Sequence, residues 1–198
     1  MHATFGFRRW YAVTMRSVDL LAESVLHSRD LFKRYLVKFD DSNHTKTAPG
    51  LPNHVAWCLG HLALTNNRFC EWLPGGKADA SGAPLNGLPT SDFIDGASSG
   101  DAERFGSESV AFGSNPAAEG IVFPRFARCV EVFDASIARF AAAVRRLSDD
   151  ELLTPVPMFR GVTAPPHLLV ARSIYHIGIH NGQIADLRRV LGMGSALG

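Results

Sequence analysis

Residues 173–184 read Ser173-Ile-Tyr-His176-Ile-Gly-Ile-His180-Asn-Gly-Gln183-Ile184. Two histidines four residues apart on a helix project from one face, one turn apart, so both imidazoles reach a single metal ion while the backbone stays regular. A third histidine, His61, lies far upstream in a second helix-like segment. Three ligands leave a position of the ion open to water or substrate, which separates a site that can do chemistry from a closed structural one. The stretch therefore sets both the helical reading and the functional question.

Working outward, residues 165–191 read as one helix, opened by a proline pair and stopped at Gly192. Between Pro124 and Leu147 the apolar residues Phe126, Val130, Phe133, Ile137, Phe140 and Val144 recur three or four apart, with arginines on the opposite face, an amphipathic helix. Ser148 followed by Asp149-Asp150-Glu151 reads as an N-cap and a short acidic turn. From Ser17 to Phe39 the positions Val18, Leu21, Val25, Phe32, Leu36 and Phe39 give a first helix. A second starts at Leu51 or Pro52 and runs to about Trp72, where Pro74-Gly75-Gly76 stops it. Residues 77–120, rich in Gly, Ser, Ala, Asp and Pro, read as a long excursion with short helical turns expected around Asp101 to Phe105. No segment alternates apolar and polar residues for long, so the expected class is all-α. Four helices with connections of unequal length make a four-helix bundle, and the long connection between helices two and three implies a crossover and an up-down-down-up order.

The 198 residues suit one domain, read here as 17–198, preceded by a loosely ordered leader at 1–16 in which Met15 is an alternative start. Arg8 and Arg9 mimic a targeting segment, but no apolar stretch or small-residue cleavage site follows. A formal charge of +1 with no basic run gives no footprint for nucleic acid or an anionic membrane, and no segment approaches the ~20 apolar residues of a span. Cys58, Cys70 and Cys129 are odd in number and form no C-x-x-C pair, which fits small core residues in a reducing, cytoplasmic setting.

Ile177 and Ile184 flank the face that carries His176, His180 and Gln183, placing the histidines between a packed seam and a cavity. Spacing alone is as compatible with a packed rim as with a ligand pair. His61 sits in the apolar run 57–64 and is costly to bury without a partner, while Gly60 beside it permits close helix packing. His54, two turns before His61, is either a group behind the ligands or a partly exposed histidine at the helix start. His167 points away from His176, and His2, His27 and His44 read as solvent-facing. Glu71 and Asp186 read as solvated charges, Arg172 and Tyr175 as exposed or packing residues that could contact a substrate.

Taken together, Trp57-Cys-Leu-Gly-His61-Leu-Ala, Phe105-Gly-Ser with Gly113-Ser-Asn-Pro116, Leu147-Ser-Asp-Asp-Glu-Leu152 and His176-x-x-x-His180-Asn-Gly-Gln183 through Gly192 resemble the DinB/YfiT-like family of metalloenzymes over residues 17–192. The resemblance implies an up-down-down-up four-helix bundle that binds a divalent ion through His61, His176 and His180, and a homodimer. Zinc or nickel is the first expectation for three imidazoles, with iron or manganese as alternatives. Gln183 and His54 are the expected groups behind the ligands. Relatives in the wider superfamily imply a small-molecule substrate and a low-molecular-weight thiol such as bacillithiol or mycothiol, hence a metal-dependent S-transferase. A metal-dependent hydrolase, and a metal-binding stress-response or scaffold protein without turnover, are the alternatives.

Overall fold

The computed structural model describes residues 15–76, 87–96, 99–158 and 161–196; the expected leader up to residue 14, His2 and residues 77–86 and 97–98 of the excursion lie outside them. The described residues are mostly helical: α1 (Ser17–Arg34), α2 (Val55–Trp72), α3 (Phe126–Arg145), the short α4 (Asp149–Leu153) and α5 (Pro166–Val190). Among the described residues, strand is confined to two pairs, parallel β1 (Phe93–Ile94) with β2 (Phe105–Gly106), and antiparallel β3 (Val156–Pro157) with β4 (Thr163–Ala164).

The amphipathic stripes explain the packing. Val18, Ala22, Val25 and Phe32 of α1, Val132, Phe133, Ile137 and Phe140 of α3 and Leu169, Ile177, Ile184 and Leu187 of α5 are all buried, α1 packing on α3 and α5, while α2, most of whose residues are buried, packs on α3, α5 and the segment before α3. A helix buried nearly all round occupies the middle of the hydrophobic core rather than its rim. Polar contacts order the helices. Arg145 of α3 reaches Asp19 and Glu23 near the start of α1, and Asp134 pairs with Lys33 near its end, so α1 and α3 run in opposite directions. On α2, Asn53 just before the helix meets Gln183, His61 meets His176, and Asn66 accepts the Ser173 hydroxyl at 2.6 Å, so α2 and α5 also oppose one another.

Two helix boundaries and two turns differ from the pattern reading. Helix α1 ends at Arg34 rather than Phe39, because Lys38 takes a left-handed φ of 72° and the Arg188 guanidinium accommodates the carbonyls of Tyr35 and Val37 at the end of α1; Leu36 and Phe39 stay buried through the turn. Helix α2 begins at Val55, since His54 is extended and its Nδ1 accepts the Trp57 N–H, a side-chain cap that fixes the start four residues late. Around Asp101 the backbone forms no helical turn. The Asp101 carboxylate accepts the N–H groups of Glu103 and Arg104, a local bond that competes with helix, and a 3₁₀ turn follows instead at Glu108–Val110. The acidic turn after α3 is a helix with a capping box between Ser148 and Glu151.

Two of the contacts that fasten the excursion to the helices set its position. Buried Asp92 pairs with Arg128 and Arg139 of α3, at 2.9 and 2.8 Å. Gly60 of α2 faces the excursion, not another helix. A Cβ there would lie 2.7 Å from the Phe105 ring and 2.8 Å from Val110, so only glycine lets this segment rest on α2 one residue before His61.

Candidate metal centre

His61 and His180 are buried and His176 is half-buried at the α2–α5 seam, with ligand-capable atoms of all three within 4.8 Å of one another. The His176 Nε2 stands 3.2 Å from the His61 Nε2 and 3.0 Å from the His180 Nε2. Nitrogens bound about 2.0–2.1 Å from one ion at angles between octahedral and tetrahedral stand roughly 2.9–3.4 Å apart, so the spacing fits a shared ion.

The opposite ring edges fix which nitrogens carry protons. His61 Nδ1–H donates to the Val110 carbonyl at 2.8 Å, and His180 Nδ1–H donates to Gln183 Oε1 at 2.9 Å. A carbonyl only accepts, and Gln183 Oε1 also accepts the Asn53 side-chain N–H at 3.2 Å, so both rings are Nδ1-protonated. In the neutral rings the Nε2 lone pairs of His61 and His180 therefore converge on His176. Burial keeps them neutral. It pushes His176 down to about 3, reinforced by His180, His61 and Arg172, and His180 down to about 4, reinforced by His61; His61 is lowered by burial as well, against the pull of its Val110 bond. Neutral imidazoles whose lone pairs converge are the donor set that a divalent cation requires.

Behind the triad, the Trp57 indole is stacked on His61 with centroids 4.6 Å apart and meets His180 edge-on at 5.9 Å. Its Nε1–H donates to Ser114 Oγ, whose hydroxyl donates to the Ser109 carbonyl, which ties the indole to the excursion. Gln183 Oε1 lies against the His180 Nδ1 edge and the Asn53 side chain. His54 stands one step further out. It is buried, caps α2, lies edge-on to Phe123 at 4.5 Å and faces the Pro116 carbonyl at 3.4 Å, so it touches the site only through the backbone of Trp57. Its burial, which lowers it to about 4, corrects the reading of a partly exposed residue.

Pattern reading missed Trp57, Val110 and Ser114. Trp57 sits one turn before His61, a helical spacing that could have flagged it. Val110 contributes a backbone carbonyl from 49 residues away, for which no side-chain pattern exists. His44 is also buried, with Nε2 3.1 Å from the Pro124 carbonyl, while His27 is exposed. His167 is half-buried against the Leu152 carbonyl, and Glu71 is buried and accepts the Gly87 N–H, so it is no solvated charge. Asp186 is exposed and pairs with Arg189; Arg172 and Tyr175 are exposed on α5. The three thiols are free, and burial pushes Cys58 and Cys70 up to about 12 and Cys129 upward too.

Residues 25–184 match the family model of the DinB superfamily. Among solved structures, a conserved protein from Enterococcus faecalis is 16% identical with a TM-score of 0.63, the alignment covering 91% of this chain and 99% of that one. The mycothiol-dependent maleylpyruvate isomerase is 17% identical with a TM-score of 0.56, covering 85% of this chain and 61% of the isomerase, and a histidine-to-alanine variant of that enzyme aligns over the same shares at 13% identity and 0.56. This chain thus spans about three fifths of the isomerase's length, and at these identities the likeness is one of fold. No curated protein matches the sequence.

Proposed function

This chain belongs to the DinB superfamily, and from that premise we propose that it is a divalent-metal-dependent enzyme, with His61, His176 and His180 as ligands and a low-molecular-weight thiol as co-substrate of an S-transfer reaction. The observation that carries the reading is the convergence of the three Nε2 atoms with the Nδ1 protons of His61 and His180 held by Val110 and Gln183. Zinc or nickel is the ion this donor set favours, with iron or manganese as the alternatives. When bound, the ion supplies Lewis acidity that lowers the pKa of a thiol or water in its open position.

The chain's own residues do the rest. Val110 and Gln183 hold two imidazoles in the tautomer that exposes Nε2, and His54 holds the turn from which Trp57 projects. Trp57 covers one face of His61 and excludes water there. Cys58, Cys70 and Cys129 are held as thiols, so the sulfur nucleophile comes from outside the chain. In the transfer the thiol gives up its proton to solvent, its sulfur forms a bond to an electrophilic carbon of the second substrate, and the group displaced from that carbon leaves with the bonding pair. The isomerase that shares the fold is named for mycothiol, which supports a thiol co-substrate here.

The wider reading places residues 17–198 in one domain, a four-helix bundle of up-down-down-up order, supported by the opposed contacts of α1 with α3 and of α2 with α5. No helix among the described residues is long and apolar enough to cross a membrane, and the charge of +1 favours neither membranes nor nucleic acid as partners. A cytoplasmic homodimer fits the free thiols and the exposed Leu20 and Leu31 of α1. A metal-binding scaffold without turnover, or a hydrolase, is the second reading. The scaffold is favoured by one observation: among the described residues no carboxylate bonds to the triad.

Metal content by elemental mass spectrometry tests the site, with His61→Ala and His180→Ala beside the wild type. About one equivalent in the wild type, lost in both variants, supports it. No metal after reconstitution with zinc, nickel, iron and manganese rejects it. Thiol consumption with bacillithiol, mycothiol or cysteine and a bimane electrophile then separates transferase from scaffold.

A further inference from the structure

We propose a second ligand site, for a small oxyanion bearing a carboxylate or phosphate group, in the cleft between the end of α5 and the turn that follows α1, with Arg188 and Arg189 as its cationic anchors. The cleft has a volume of about 520 Å³ and is lined by Tyr35, Ala185, Arg188, Arg189, Gly192 and Gly194, among others, and among the described residues no carboxylate lines it. It lies at the end of α5, eight residues and roughly 12 Å along the helix axis from His180, and is independent of the metal reading.

Arg188 is the reason to expect a ligand. It is the largest fully buried side chain, 2% exposed, and among the described residues it has no acidic partner. Its Nη1 donates to the carbonyls of Tyr35 and Val37, and its guanidinium lies 5.9 Å from the Phe39 ring centroid. These contacts use one edge of the fork. Nε, on the other edge, is buried without a hydrogen-bond partner. Burying a guanidinium against neutral carbonyls alone leaves the charge uncompensated, a costly arrangement unless an anion completes it. The Nε edge of a guanidinium is one of the faces that meets a carboxylate or phosphate with two parallel N–H donors. Arg189, exposed at the same rim, adds a second positive charge that Asp186 balances only at the surface. Gly192 and Gly194, at φ of 70° and 74°, put no side chains into the space.

The test titrates inorganic phosphate and acetate into the full chain at ionic strength held constant with sodium chloride, following thermal denaturation and calorimetric heat. It is run on the wild type, on Arg189→Ala and on Arg188→Met, and on His61→Ala so that anion binding at the metal centre is not mistaken for this site. A saturable rise in Tm with phosphate or acetate, retained in His61→Ala and weakened roughly tenfold in Arg189→Ala, is the expected result. Whichever anion binds more tightly identifies the group. A response to neither anion beyond chloride overturns the proposal. So does a response unchanged in Arg189→Ala, a variant whose truncated side chain is exposed and whose folding circular dichroism checks. Arg188→Met loses the response if it folds; should it fail to fold, the Arg189→Ala comparison decides alone.

Discussion

The indole of Trp57 lies flat against the imidazole of His61, with ring centroids 4.6 Å apart and planes within 7° of parallel. One turn of α2 thus places a rigid aromatic wall behind a ligand whose other nitrogen is held by Val110, and the ring has one orientation left in which to meet His176 and His180. Trp57→Phe keeps a stacked ring and should retain metal. Trp57→Ala should weaken zinc affinity about 10–100-fold, the effect typical of groups behind a ligand, as read by competition with a chromogenic chelator. Equal affinity in Trp57→Ala would show that the stack does not orient His61.

Gly60→Ala probes how the excursion reaches the site. Its Cβ would overlap the Phe105 ring and Val110, forcing the segment off α2 at a cost of about 1–3 kcal/mol, typical of overpacking. Because the Val110 carbonyl holds His61, metal affinity should fall together with the denaturation midpoint. A stability loss with unchanged affinity would separate the packing role of Gly60 from the orientation of His61.

Gln183→Leu removes the acceptor of the His180 Nδ1 proton while keeping the side chain's bulk. A buried donor left without its partner costs about 1–3 kcal/mol, and His180 is then free to adopt the other tautomer and withdraw Nε2. Metal stoichiometry in Gln183→Leu should stay near one while affinity drops, whereas Gln183→Glu, which still accepts that proton, should bind at least as tightly as wild type. A loss of equal size in both variants would argue against the acceptor role.

Acid should destabilise the metal-free protein. His54, His176 and His180 are lowered by burial to about 4, about 3 and about 4, below the ordinary histidine value of 6.5. Between those values the unfolded chain binds protons that the folded chain does not. Stability is therefore complete above pH ~6.5 and falls as pH drops through the window towards 4, by at most about 1.4 kcal/mol per pH unit for each group. Urea denaturation at pH 7, 5.5 and 4.5 reads the slope, and His176→Gln should flatten it. A flat profile in the wild type would mean that the rings titrate normally in the fold. Zinc should be released over the same direction of pH change, because the ion competes with the protons for Nε2.

The helices were legible because burial imposes a period. Residues 126–145 carry their apolar stripe at three- and four-residue spacing, and the same arithmetic put His176 and His180 on one face of α5. Ser148 with Glu151 announced its own cap, and the motif resemblance singled out His61. Local bonds set what periodicity cannot: His54 caps α2 with an imidazole, a residue outside the usual capping set, and Asp101 turns the backbone where a helical turn was expected.

By itself, then, the sequence determined the four long helices and the shared face of His176 and His180, since both follow from side-chain spacing along a single helix, while His61 came from the motif resemblance. Only the tertiary structure decided that His61 meets the other two, that Val110 fixes its tautomer and that Arg188 is buried without a counter-ion among the described residues. Those depend on backbone carbonyls and surfaces brought together across 49 to 153 residues, which leave no periodic trace in the chain.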